Sequence, residues 1–164
     1  MNALTATVIA STALLAVSAV VAVSSRAADA SAKAAGSEDG SGSAALVYGV
    51  RDAVRQVERP VTVKQAEEAY AREKALGQYQ IRPSMVNEVN RILGEKKYHP
   101  SDALSEKLSG RMFVIYSVYW AERTRDWSAQ GIARRWNGGP KGHRKSATVG
   151  YWKKVREVLD AEIQ

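Results

Sequence analysis

Apolar positions along the chain recur mostly in threes and fours. Leu46, Val50, Val54 and Val57 make one such face and predict a helix from about Ala44 to Val57. Pro60 ends it, because proline disfavours helical geometry in the residue before it, and Glu58 is left at the helix C-terminus. Residues 63–75 are helical by composition but strongly charged, with Glu67, Glu68, Arg72, Glu73 and Lys74 reading as a solvated face. From Leu76 to Ile81 the period shortens: Tyr79 and Ile81 alternate with Gln78 and Gln80, as in an extended strand or a turn. Arg82-Pro83-Ser84 opens a second good helix carrying Met85, Val86, Val89, Ile92 and Leu93, with Gly94 at its C′ position. Ser101 or Asp102 is placed to cap a long helix reaching about Arg123, with Leu104, Leu108, Met112, Ile115, Tyr116 and Tyr119 as its buried stripe. A short helix from Ser128 runs into a Trp-Asn-Gly-Gly-Pro turn. A last helix, capped by Ser146, carries Val149, Trp152, Val155, Leu159 and Ile163. The pattern predicts a mostly α fold: a single helical domain over 45–164 with one short strand segment.

The first 44 residues do not fit that domain. Leu4 to Ser24 is uncharged and built from Ala, Val, Leu, Ser and Thr, just long enough to span a bilayer. Small-x-small sites follow at Ala28-Asp29-Ala30 and Ala30-Ser31-Ala32, the pattern a signal peptidase needs. No Lys or Arg precedes the run, so residues 1–30 read as a cleaved signal peptide or a retained membrane anchor. Residues 31–44, rich in Ala, Ser and Gly, read as a flexible linker. The domain is therefore expected to work outside the cytoplasm, in a periplasmic or extracellular setting, with membrane association through residues 4–24 if the anchor is kept.

Composition narrows the chemistry. The chain has 164 residues, 45% hydrophobic and 25% charged, which is ordinary for a globular domain. It has no cysteine, so disulfides, thiolate nucleophiles and Cys-ligated zinc are excluded. His99 and His143 lack metal-ligand spacing and read as surface residues; no metal or organic cofactor is expected. Arg26 and Lys33 against Asp29, Glu38 and Asp39 leave one net negative charge on the first 44 residues, so the chain's +7 places +8 on the remainder. Between Gly131 and Arg156 there are eight Lys and Arg and no acid. Such a face suits a polyanion. In an exported protein that means cell-wall carboxylates and phosphates, or anionic lipid, more readily than nucleic acid.

The richest chemistry lies in Ala133-Arg134-Arg135-Trp136-Asn137-Gly138-Gly139-Pro140. Gly138 and Gly139 can take positive φ and Pro140 stiffens the exit, while Trp136 and Asn137 offer an aromatic face beside hydrogen-bonding groups. These are the parts of a sugar subsite, and alone they equally describe a helix C-cap followed by a tight turn. Trp120, Trp127 and Trp152 read as core or half-buried anchors.

Three segments taken in order, Val57-Glu58 at a helix end, Gly77-Gln78-Tyr79-Gln80-Ile81, and Trp136-Asn137-Gly138-Gly139-Pro140, resemble the lysozyme-like soluble lytic transglycosylases and goose-type lysozymes. That family has a Glu at the end of its first long helix, a Gly-x-x-Gln-Ile segment about twenty residues on, and a Tyr-Asn-Ala-Gly-Pro turn. Here Glu58 to Gly77 spans 19 residues. The resemblance covers roughly residues 46–158 and implies an α+β lysozyme-like fold cutting the MurNAc–GlcNAc bonds of peptidoglycan glycan strands. It implies Glu58 as acid and base, with Gln80, Tyr79, Trp136, Asn137, Gly138 and Tyr151 binding substrate. No nucleic-acid partner is expected, and the chain is expected to act as a monomer.

Two departures fall beside the catalytic position. Arg59-Pro60 replaces the family's Ser-Gly, and a charged run from Lys64 to Lys74 replaces its glycine-rich stretch. A hydrolytic lysozyme would need a second carboxylate, for which Glu67, Glu68 and Glu73 are the candidates. A third reading keeps the fold as an inactive wall-binding module.

Overall fold

The computed structural model describes residues 41–162. Helix α1 spans Ser41–Glu58, so it starts three residues before Ala44 and takes in the end of the expected linker. Val47, Val50, Ala53 and Val54 are its buried face. The 1–30 segment and the linker up to residue 40 lie outside the described residues. So does Ile163. No helix among the described residues is long and apolar enough to cross a membrane.

Helix α2, Val63–Glu73, forms for local reasons. Thr62 accepts from the Gln65 amide while the Gln65 side chain accepts from the Thr62 amide, a capping box that satisfies two otherwise orphaned donors. Lys74 closes the other end in the left-handed region, φ 55°. None of its 11 residues is buried. The segment 76–81 is a turn, not a strand. One antiparallel bridge joins Leu76 to Ile81, through amide-to-carbonyl bonds of 3.0 and 2.9 Å. Gly77 (φ 71°) and Gln80 (φ 48°) reverse the backbone between them. A Cβ on Gly77 would stand 1.9 Å from the Ala103 carbonyl oxygen, so only glycine fits there.

Helix α3, Pro83–Leu93, begins on its proline and ends at Gly94 in the left-handed region, as the sequence predicts. The next helix departs from expectation. Residues Pro100–Leu104 make a short 3-10 helix, and Ser105, not Ser101 or Asp102, caps α4, Glu106–Thr124. The Ser105 hydroxyl accepts from the Leu108 amide. Leu104 therefore precedes the helix and stands 64% exposed instead of joining the buried stripe. Helix α4 is central, burying Met112, Phe113, Tyr116 and Ala121, with α3 and α5 packed against it.

Ser128 caps α5, Ala129–Gly138, whose buried side includes Ile132, Ala133, Arg135 and Trp136. Two 3-10 turns, Gly142–Arg144 and Ser146–Thr148, lead to α6, Val149–Ala161. Ser146 thus begins a 3-10 turn without capping α6, and Val149, at the helix's first position, is exposed. From Ala44 the chain forms one compact, mostly helical unit. Its core is one cluster running from Val47 in α1 to Val155 in α6. Burying each of the larger apolar side chains contributes about 1.5–3 kcal/mol, which is what holds α1, α4, α5 and α6 together.

Candidate functional site

A cleft of about 470 Å³ opens at the C-terminal end of α1. Glu58, Gln80, Trp136, Asn137 and Gly138, five of the seven residues singled out from sequence, line it. The other two, Tyr79 and Tyr151, do not.

Glu58 is half-buried, and its carboxyl is held above the ordinary value of 4.5. Burial is the main cause and Glu73 adds to it, against opposing pulls from the Tyr151 hydroxyl, Arg82 and Lys154. Its place at the negative end of the α1 dipole acts in the same direction as burial. Tyr151, on α6, has its hydroxyl enclosed beside Glu58. That hydroxyl makes no well-aligned hydrogen bond to a protein atom, and the carboxyl is the polar group it faces. Burial, then the Glu58 charge, pushes the phenol well above its ordinary range, so Tyr151 stays a neutral donor beside the acid. It sits behind Glu58 and not on the cleft surface.

Tyr79 corrects the expectation of a cleft wall. It is 2% exposed and points into the core, because the turn at Gln80 carries the chain back and leaves Tyr79 against Phe113 (6.0 Å between ring centroids) and Trp136 (6.4 Å, edge-on). Gln80 itself faces the cleft, with its side-chain amide nitrogen donating to the Gly77 carbonyl at 2.8 Å. Trp136 is only 6% exposed. It packs under the cleft against Phe113 at 4.7 Å and edge-on to Tyr116 at 5.8 Å, so it is a floor and not a stacking platform.

The Asn-Gly-Gly-Pro segment is the helix end that its alternative reading describes. Asn137 and Gly138 close α5, and Gly139 alone takes positive φ, 78°. Gly138 matters for space: a Cβ there would lie 2.6 Å from the Thr148 methyl. Lys145 donates to the Gly138 carbonyl at 2.7 Å, and the Arg134 guanidinium bonds both Thr148 (2.9 Å) and the Lys145 carbonyl (2.8 Å).

Beneath this wall Arg135 is 1% exposed, paired with Asp126 at 2.8 Å and bonded to the Asp126 carbonyl. Burial alone would raise the Asp126 pKa, but hydrogen bonds from Ser128 and Arg135 outweigh it and hold the carboxyl below its usual range. The basic run is thus not uniformly solvated: Arg134, Arg135 and Lys145 brace the α5 wall. His143, expected at the surface, is half-buried, and burial followed by Arg135 and Arg144 depresses its pKa. The three tryptophans read as anchors, Trp120, Trp127 and Trp152, are partly buried against the core.

Of the three acids weighed as a second carboxylate, Glu73 is the one at the site. It lines the same cleft as Glu58, while Glu67 and Glu68 are exposed. Arg82 pairs with one of its oxygens and Arg72 with the other at 3.2 Å. The Leu76–Ile81 bridge ties the ends of a short turn, which brings residue 73 before it and residue 82 after it to the same mouth. Among the described residues, no group of three or more His, Asp or Glu is placed to hold a metal ion.

Compared with known proteins, the chain matches no family model, no curated protein and no solved structure.

Proposed function

We propose that the chain is an exported lytic transglycosylase of the lysozyme-like fold that cuts the MurNAc–GlcNAc bonds of peptidoglycan. The reading is carried by one observation: a half-buried carboxyl, its pKa raised by burial, lines the same cleft as Asn137, Gly138 and Gly139. General acid catalysis needs a proton held near the operating pH, and Glu58 is placed to give one to the glycosidic oxygen as the bond to the sugar C1 breaks. The muramyl C6 hydroxyl then closes on C1 and returns its proton to Glu58, forming a 1,6-anhydro ring without consuming water. Tyr151, beside the carboxyl, supports this cycle by donating to Glu58 when it is ionised. In the chemistry of this site it fills the place of the serine hydroxyl that Arg59 displaces.

Glu73 favours a second reading. Two carboxyls facing one cleft are the equipment of a hydrolase that activates water across the sugar ring. Both Glu73 oxygens are already engaged by guanidinium groups, however, which leaves that carboxylate poorly available as a base, and the lyase route is preferred.

The deciding experiment is a mass-resolved digest of purified peptidoglycan by the full chain, wild type beside Glu58→Gln. Anhydro-muropeptides from wild type, reduced roughly 10²–10⁴-fold in the variant, support the reading. Products bearing only reducing ends would replace it with the hydrolase. Sacculus binding by both proteins with no products from either would make the domain an inactive wall-binding module.

A further inference from the structure

The two 3-10 turns and the first turn of α6 form a basic end of the molecule. From Lys141 to Lys154 the chain holds five Lys and Arg and no acid, and all five are exposed. Among the described residues, none of the five pairs with a carboxylate. Lys145 and Lys154 serve the cleft: the first lines it and holds the Gly138 carbonyl, and the second acts on the Glu58 charge. Lys141, Arg144 and Lys153 line no part of the cleft. Arg144 donates to the His143 ring at 3.2 Å. Three cations are thus left with neither an acid to pair with nor a task in the site.

The inner side of this surface is fixed. The Thr148 hydroxyl lies 2.7 Å from the Gly142 carbonyl oxygen and 2.8 Å from that of Lys145, which holds the 141–145 turn against the start of α6. A Cβ on Gly142 would stand 2.0 Å from the Arg134 carbonyl oxygen, so the turn lies directly on α5. The Arg144 amide donates to the Lys141 carbonyl at 3.0 Å, and residues three apart in this geometry share an edge. Val149 and Lys153, four apart in α6, share a helix face. Val149 is 40% exposed, and Pro140 and Ala147 of the same segment are exposed too.

Exposed apolar side chains among unpaired cations decide which polyanion fits. A soluble phosphate polymer would pair with the cations and leave Val149 in water. An anionic bilayer uses both groups: basic side chains reach the headgroups while apolar ones enter the acyl boundary. We propose that this surface docks on a bilayer bearing anionic lipid headgroups, with Lys141, Arg144 and Lys153 at the phosphates and Val149 at the acyl boundary. The contact is separate from any insertion of residues 4–24 and does not depend on what the cleft cuts. Because Lys145 carries the same turn into the cleft wall, docking holds the cleft beside the membrane surface.

The test uses the full chain with a polarity-sensitive fluorophore on Val149→Cys, a unique label because the chain has no cysteine. The local probe reports this surface however the N-terminus meets the vesicles. Gly150→Cys, where an added side chain meets nothing within 4 Å, repeats the measurement at a second position. Titration uses phosphatidylcholine vesicles, and the same vesicles with about a third of the lipid replaced by phosphatidylglycerol. On the anionic vesicles the emission should shift to the blue and be quenched by brominated lipid; on the neutral ones it should not change. Lys141→Gln and Lys153→Gln should each raise the anionic lipid needed about fivefold, the effect of one cation near such a surface. A silent probe at both positions would overturn the inference, as would equal responses to the two vesicles or a response indifferent to both lysines. Displacement of the vesicles by soluble polyphosphate at a lower phosphate concentration would also overturn it, and make the surface a polymer site.

Discussion

The cleft has two walls built on opposite principles. The α5 wall, ending in Trp136 to Gly139, is fixed into the molecule by an aromatic cluster, a buried arginine and a set of hydrogen bonds through Lys145 and Thr148. The α2 wall contributes Ala69, Arg72 and Glu73, yet buries none of its residues and is joined to the body by the Glu73–Arg82 pair. Good caps do not by themselves tie a helix to the core, since α2 has the better caps and no buried residue. The side holding Asn137 is set by the core, while the side holding Glu73 is set by local capping and an ion pair in water.

Breaking the α5 wall should have the largest effect. Trp136→Ala removes the floor shared with Phe113 and Tyr116, and should cost about 3–5 kcal/mol in denaturant unfolding. Asp126→Ala leaves the Arg135 guanidinium buried without its partner. It should cost about 3 kcal/mol, toward the low end for a broken buried pair because Asp126 keeps 33% of its side chain in water. Gly77→Ala, at the turn supporting Gln80, combines left-handed strain with the Ala103 clash and should cost roughly 2–4 kcal/mol. The α2 wall should scarcely register: Glu73→Gln should change global stability by less than about 1 kcal/mol, as exposed ion pairs do. Its signature is instead local, with amides of 63–73 exchanging faster while those of α4 keep their protection. A global loss matching that of Trp136→Ala would show the two walls to be equivalent.

The two carboxyls tied to these walls should respond to pH in opposite senses. The depressed Asp126 stabilises the fold above the ordinary aspartate range, and that contribution disappears as pH falls through its folded value. The raised Glu58 does the reverse. Its contribution is complete below the ordinary 4.5 and is lost as pH rises through the folded value, where proton donation also fails. Glu58→Gln should therefore raise Tm at neutral pH and not at pH 4, a stability gain at the expense of the acid. Thermal scans at both pH values check the sign.

Much of this was legible in the chain. The apolar spacing gave α3 almost to the residue and α1 to within three residues at its start, and five of seven candidate residues meet in one cleft. What failed did so for identifiable reasons. Leu104 looked like the first member of a helical stripe, but a 3-10 turn has three residues per turn and swings it outward. Tyr79 is buried by a turn and not by strand alternation, so its apolar character was readable and its place in the core, away from the cleft, was not. Arg135 was counted with the solvated cations although Ile132, Arg135 and Trp136 fall on one helical face. The position was readable, and the choice of burying a cation against Asp126 was not, because that partner lies on the preceding connection. Glu73 was named beside Glu67 and Glu68, but nothing in the charged run distinguishes the one that reaches the cleft.

The loose attachment of α2 bears on how such a protein can diversify. Its segment enters after Pro60, leaves at Lys74 and takes no share of the core between. It can be lengthened, recharged or exchanged for an unrelated loop, and doubling the length of such a connection costs only about 0.6 kcal/mol in closure entropy. Descendants of this chain could acquire new substrate preferences through residues 62–72 while inheriting Glu58 and the Glu73 beside it, because this stretch of sequence is the part of the cleft that the core does not constrain.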